Sequence, residues 1–148
     1  MLVIAHIFHN KILMSAVLGW ISAQIIKTIL TLIITKKFDA ERILGAGGMP
    51  SAHSAMVSAL FVGVMQSCGA GSPEFALAFV FAAVVMYDAM GVRRAAGEQA
   101  RVINRLVEIT EKGGSEVTEK GLKESLGHTP MEVLAGIMLG ILIALVIG

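Results

Sequence analysis

Residues 12–35, ILMSAVLGWISAQIIKTILTLIIT, decide the architecture of this chain. The run carries one charged residue, Lys27, and is longer than the roughly 20 apolar residues a helix needs to cross a bilayer. It is also too long for the core of a cleavable signal peptide and lacks an obvious small-residue cleavage site, so it reads as a retained span. Three further stretches have similar character: Pro50 to Cys68, Pro73 to Gly91 and Pro130 to Gly148. The second and fourth spans are close to the lower length limit of about 17 residues, so burial in the bundle or partial spanning stays open for them. With 55% hydrophobic and 16% charged residues among 148, the chain has too little polar surface to coat a water-soluble sphere. The expectation is an all-α integral membrane helical bundle of about four transmembrane helices, forming a single domain over residues 1–148.

The same composition narrows function. A net charge of +1 and 5% aromatic residues supply neither the basic surface nor the stacking platforms of a nucleic-acid binder. The single cysteine, Cys68, excludes an internal disulfide and a multi-cysteine metal site, and the nine methionines read as membrane packing.

Ten of the twelve basic residues fall in two places. Lys36, Lys37 and Arg42 follow the first span; Arg93, Arg94, Arg101, Arg105, Lys112, Lys120 and Lys123 follow the third. Lys and Arg are retained on the cytoplasmic side, so these loops face the cytoplasm and both termini face outside, in a multi-pass protein of the inner (plasma) membrane. From Val92 to Thr110 apolar residues recur at helical spacing opposite Arg94, Glu98, Arg101 and Arg105, which predicts a cytoplasmic amphipathic extension of the third span. Gly113-Gly114 would stop it, and Ser115 to Ser125 reads as a surface loop with a short helix. For Arg101 and Arg105 the retention rule is explanation enough.

Chemistry concentrates in two strings, Gly47-Gly48-Met49-Pro50-Ser51-Ala52-His53-Ser54 and Gly127-His128-Thr129-Pro130-Met131-Glu132. Proline suits the first helical turn, so each string marks a helix start, and the charge count puts both on one membrane face. Free N–H groups there form a natural anion site, beside which two histidines supply a nucleophile and a proton donor. Each residue also has a structural reading. Thr129 and Glu132 fit a capping box, Ser51 and Ser54 fit helix starts or helix packing, and His53 fits an interfacial histidine. Lys27 and Asp88 are charges within apolar spans. Asp88 precedes Arg93 and Arg94 by about one turn and would orient one guanidinium; Lys27 either snorkels or faces inward, with Gln24 as a hydrogen-bond partner. Arg93 and Arg94 suit phosphate or headgroup binding, or simply retention.

Gly48-Met49-Pro50-Ser51-Ala52-His53 and His128-Thr129-Pro130-Met131-Glu132-Val133-Leu134-Ala135-Gly136 resemble two signatures of the type 2 phosphatidic acid phosphatase superfamily, which includes the vanadium-dependent haloperoxidases. With Tyr87-Asp88-Ala89-Met90-Gly91-Val92-Arg93-Arg94, the chain from about Lys11 to Gly148 resembles the divergent bacterial branch of that superfamily. The resemblance implies that His53 protonates the leaving oxygen, His128 attacks phosphorus and Glu132 orients it. It also implies that the phosphate is held near Gly48 and Ser51 with basic help from Lys36, Lys37, Arg42, Arg93 and Arg94. No metal and no other cofactor is implied. The sequence departs from the pattern in lacking the spaced lysine-arginine-proline signature, in carrying glutamate where aspartate is usual, and in lacking a Ser-Arg pair shortly before the second histidine.

Two functions follow as expectations. One is a metal-independent lipid-phosphate or lipid-pyrophosphate phosphatase with a phosphohistidine intermediate, whose partners are membrane lipids. The other is a non-catalytic anionic-lipid-binding, transport or scaffold protein that keeps the fold. Four short spans bury little surface, which leaves room for a homodimer.

Overall fold

A computed structural model describes residues 7–36, 48–112, 122 and 127–148. In chain order the helices are α1 (Lys11–Thr35), α2 (Ala52–Cys68), α3 (Pro73–Met90), α4 (Val92–Lys112) and α5 (Pro130–Ile147). Their starts are written in capping residues, which satisfy N–H groups that lack a partner in the first turn. Asn10 Oδ1 accepts from the Leu13 N–H at 3.1 Å, and Ser72 Oγ accepts from the Phe75 N–H at 3.1 Å with Pro73 following. Thr129 and Glu132 complete the expected capping box, with Pro130 in the first turn. Pro50 departs from expectation. It precedes the cap, because Ser51 itself accepts from the Ser54 N–H at 3.3 Å and starts α2 at Ala52.

α2 occupies the centre and packs on α1, α3 and α5. Gly19 of α1 meets Ala55 and Ala59, while Gly63 meets Ile12, so α1 and α2 run antiparallel. Gly136 and Gly140 of α5 face the carbonyl oxygens of Ser51 and Ala55, so α5 runs parallel to α2. A Cβ at either glycine would collide with backbone; its absence lets the two helices touch main chain to main chain.

The interior is made of small residues, including Ala23, Ala52, Ala55, Ala59 and Ala144, while bulky apolar ones point outward. Leu77 is 72% exposed, Ile34 78% and Val146 79%. That distribution would be costly in water and suits a bundle whose solvent is lipid, where helices associate by close packing rather than by hiding apolar surface. The chain is thus an all-α, multi-pass membrane bundle.

The expected four spans are corrected to three helices long and apolar enough to cross a membrane among the described residues, within Lys11–Thr35, Pro73–Thr110 and Pro130–Ile147. α2 has 17 residues, about 25 Å of helix against roughly 30 Å of hydrocarbon. Its central position explains the shortfall, since much of its surface meets other helices rather than lipid. At Gly91 (φ −99°, ψ −85°) the helical path is interrupted between α3 and α4. The expected stop at Gly113-Gly114 lies outside the described residues, as does most of the loop from Ser115 to Ser125.

Candidate functional site

The starts of α2 and α5 and the α3–α4 junction meet at one end of the bundle. The Ser51 N–H donates to the Glu132 carbonyl at 2.9 Å, fastening the first two, and the His128 N–H donates to the Ala89 carbonyl at 2.9 Å, fastening the third. Gly127, at φ 84°, makes the second contact possible. It lies against the backbone of Arg93 and Arg94, where any Cβ would overlap main chain.

His128 is 4% exposed, and its Nδ1 lies 3.0 Å from Glu132 Oε2. A carboxylate accepts, so this hydrogen bond assigns the proton to Nδ1 in the neutral ring and leaves the Nε2 lone pair unprotonated. The same carboxylate oxygen accepts from the Thr129 N–H at 3.0 Å, while Thr129 Oγ1 accepts from the Glu132 N–H at 3.3 Å. Glu132 is therefore both a helix cap and the hydrogen-bond partner of His128.

His53, in the first turn of α2, is exposed and lies within electrostatic reach of Arg93, His128, Lys27 and Asp88. His53, Val85, Ala89, Arg93, Gly127 and His128 are the described residues lining one cleft, which as it stands has room for about one water molecule. Val85, Ala89 and Arg93 recur every four residues across the α3–α4 junction and present one wall.

The sequence-predicted basic residues separate here. Arg93 joins the cleft, with its Nε 2.6 Å from Asp88 Oδ2. Arg94 pairs instead with Glu98 at 3.3 Å along α4. Lys36 is the exposed C-cap of α1, nine residues or about 13 Å of helix beyond Lys27. Lys37 and Arg42 lie outside the described residues. Gly48 adopts φ 83° ahead of the cap. Ser51 is fully buried, and its Oγ accepts from both the Ser54 N–H and the Ser54 hydroxyl, the latter at 2.9 Å; that oxygen serves the helix start.

Lys27 is the residue that sequence reasoning left unplaced. It is 2% exposed, so it does not snorkel, and it faces inward within reach of His53. Gln24, one turn earlier, is also buried, and its Oε1 has no hydrogen-bond partner among the described residues. The signal was present as two polar residues three apart in an apolar run. Among the described residues no group of three or more His, Cys, Asp or Glu side chains is arranged to hold a metal ion.

Sequence comparison gives the class of this membrane bundle, a phosphatase-like one. Residues 8–143 match the family model described as the divergent PAP2 family, and the chain belongs to that family. It is 43% identical over 148 residues to the uncharacterized membrane protein YuiD of Bacillus subtilis (strain 168), covering 93% of this chain and 94% of that one. No solved structure matches.

Proposed function

We propose that the chain is a metal-independent lipid-phosphate or lipid-pyrophosphate phosphatase that works through a phosphohistidine on His128. The observation that carries this reading is the cleft shared by His53, Arg93 and a His128 whose Nδ1 is held by Glu132. In the first step the Nε2 lone pair of His128 attacks phosphorus. The bond from phosphorus to the leaving oxygen breaks, and protonated His53 delivers a proton to that oxygen. In the second step neutral His53 takes a proton from water as its oxygen attacks phosphorus. The P–N bond breaks, inorganic phosphate leaves and His128 recovers its lone pair. Arg93, oriented by Asp88, and buried Lys27 offset the phosphoryl charge, helped by the N-terminal dipoles of α2 and α5.

The test is phosphate release from a panel of lipid monophosphates and diphosphates by purified protein in detergent. Release that is lost in His128→Ala supports the proposal; no release from any member of the panel overturns it. A second reading, an anionic-lipid-binding, transport or scaffold protein without turnover, is favoured by one observation. The cleft holds about one water as it stands, so a phosphoryl group must displace side chains to enter. Under that reading the same lipids bind, with unchanged affinity in His128→Ala, and no phosphate is released.

A further inference from the structure

We propose that α4 is a membrane-surface helix, lying along the lipid headgroup layer with its apolar face in the bilayer. Around this helix the apolar residues Val92, Ala95, Ala96, Val102, Ile103, Leu106 and Ile109 gather on one half, while Arg94, Glu98, Arg101, Arg105 and Glu108 take the other. Among the described residues the apolar half is uncovered; Leu122 meets the helix at Asn104, which lies off that half. Val92, Val102, Leu106 and Ile109 are each 59% to 64% exposed, and α4 packs on no other described helix but α3. An open groove of about 470 Å³ borders this side, lined by Ala95, Gln99, Val102 and Ile103 with Glu98 at its polar edge.

The occupant is identified by where the helix starts. α3 is an apolar span ending at Met90, so Val92 emerges where hydrocarbon gives way to headgroups, and the apolar face begins in continuity with the lipid-facing surface of the span. The interrupted path at Gly91 gives the chain its place to turn from crossing the bilayer to following it. Strong segregation of faces, low overall hydrophobicity and arginine on the polar side are the properties of helices that lie in an interface rather than cross it. On the polar half three arginines, at 94, 101 and 105, stand against Glu98 and Glu108 among the described side chains, a balance that suits anionic headgroups.

A second copy of the chain fits this face less well. A coiled-coil seam through positions 92, 95, 99, 102, 106 and 109 would read Val, Ala, Gln, Val, Leu, Ile. Ala95 and Gln99 leave a third of that seam, both in its first half, without a large apolar knob, and α4 is only about three heptads long.

The experiment places single cysteines at Ile103, Leu106, Arg101 and Arg105 in a Cys68→Ser background, each labelled with an environment-sensitive fluorophore. The full chain is reconstituted in vesicles of phosphatidylcholine and phosphatidylglycerol. Labels at 103 and 106 are expected to emit at shorter wavelength and to be quenched by brominated acyl chains, while those at 101 and 105 are quenched by aqueous iodide. Iodide quenching at all four positions overturns the proposal. So does shielding of 103 and 106 from iodide without quenching by brominated lipid, because protein would then cover the face. Energy transfer between copies labelled at 106 distinguishes a second copy from the chain's own residues in that case.

Discussion

One oxygen of Glu132 serves two donors: Oε2 lies 3.0 Å from His128 Nδ1 and 3.0 Å from the Thr129 backbone nitrogen. The histidine orientation and the helix start thus depend on the same atom, and they can be separated by substitution.

Glu132→Gln is expected to keep the fold and lose the chemistry. Glutamine still accepts from the Thr129 N–H, so the change in stability should stay below about 1 kcal/mol. An amide oxygen stabilises a charged imidazole less than a carboxylate does. The loss of a charge-assisted bond of about 1.5–3 kcal/mol corresponds to roughly 10- to 100-fold slower turnover. Thermal unfolding in detergent and phosphate release are measured side by side; unchanged turnover would reduce Glu132 to a cap.

Lys27→Met should separate stability from function in the opposite sense to a structural lysine. Methionine suits the apolar interior, so the folded yield is retained. Removing the buried ammonium should weaken inhibition by inorganic phosphate about tenfold, the worth of one charged contact of ~1.4 kcal/mol. Loss of fold with this substitution would assign Lys27 to the bundle rather than the cleft.

Gly140→Ala tests the main-chain contact of α5 with α2. Its new methyl meets the Ala55 carbonyl and the Ser58 side chain, and overpacking of this kind costs about 1–3 kcal/mol. Gly71→Ala is the control, because nothing lies within 4 Å of a Cβ there. The control should change stability by less than about 0.5 kcal/mol. Equal melting temperatures for the two variants would refute the packing argument.

Thr110→Cys and Gly71→Cys report orientation. Exposed Cys68 must first be replaced, since it would react near Gly71. The distribution of basic residues leads to the expectation that position 110 reacts from the cytoplasm and position 71 from the other side. The reverse pattern would place the cleft at the outer leaflet.

Legibility from sequence followed the helix ends. Ser72-Pro73 and Thr129-Pro130 carry local capping chemistry that specifies a start without tertiary help, and His128 and Glu132 sit beside the second, while Asp88 and Arg93 flank the glycine at the end of α3. Pro50 misled by two residues because Ser51 competes for the cap. Lys27 stayed ambiguous for a different reason. α1 is apolar nearly all round, so no periodicity distinguishes its inner from its outer face, and whether Lys27 snorkels or faces inward waits on packing against α2. The length of α2 was legible, but its central position was not, because small residues can line either a lipid-facing groove or a helix crossing.

The bond from the Ser51 N–H to the Glu132 carbonyl has a mechanical consequence. His53 follows one end of that bond by two residues and His128 precedes the other by four, so both imidazoles ride on a single stiff body formed by α2 and α5. Main chain therefore ties together the two helix starts that carry them. Arg93 belongs to the opposing α3–α4 arm, which meets α5 more sparingly. Because the His128 N–H also holds the Ala89 carbonyl of that arm, widening the cleft for a phosphorylated guest falls to the Arg93 side chain and its tether to Asp88 rather than to the backbone that carries the histidines.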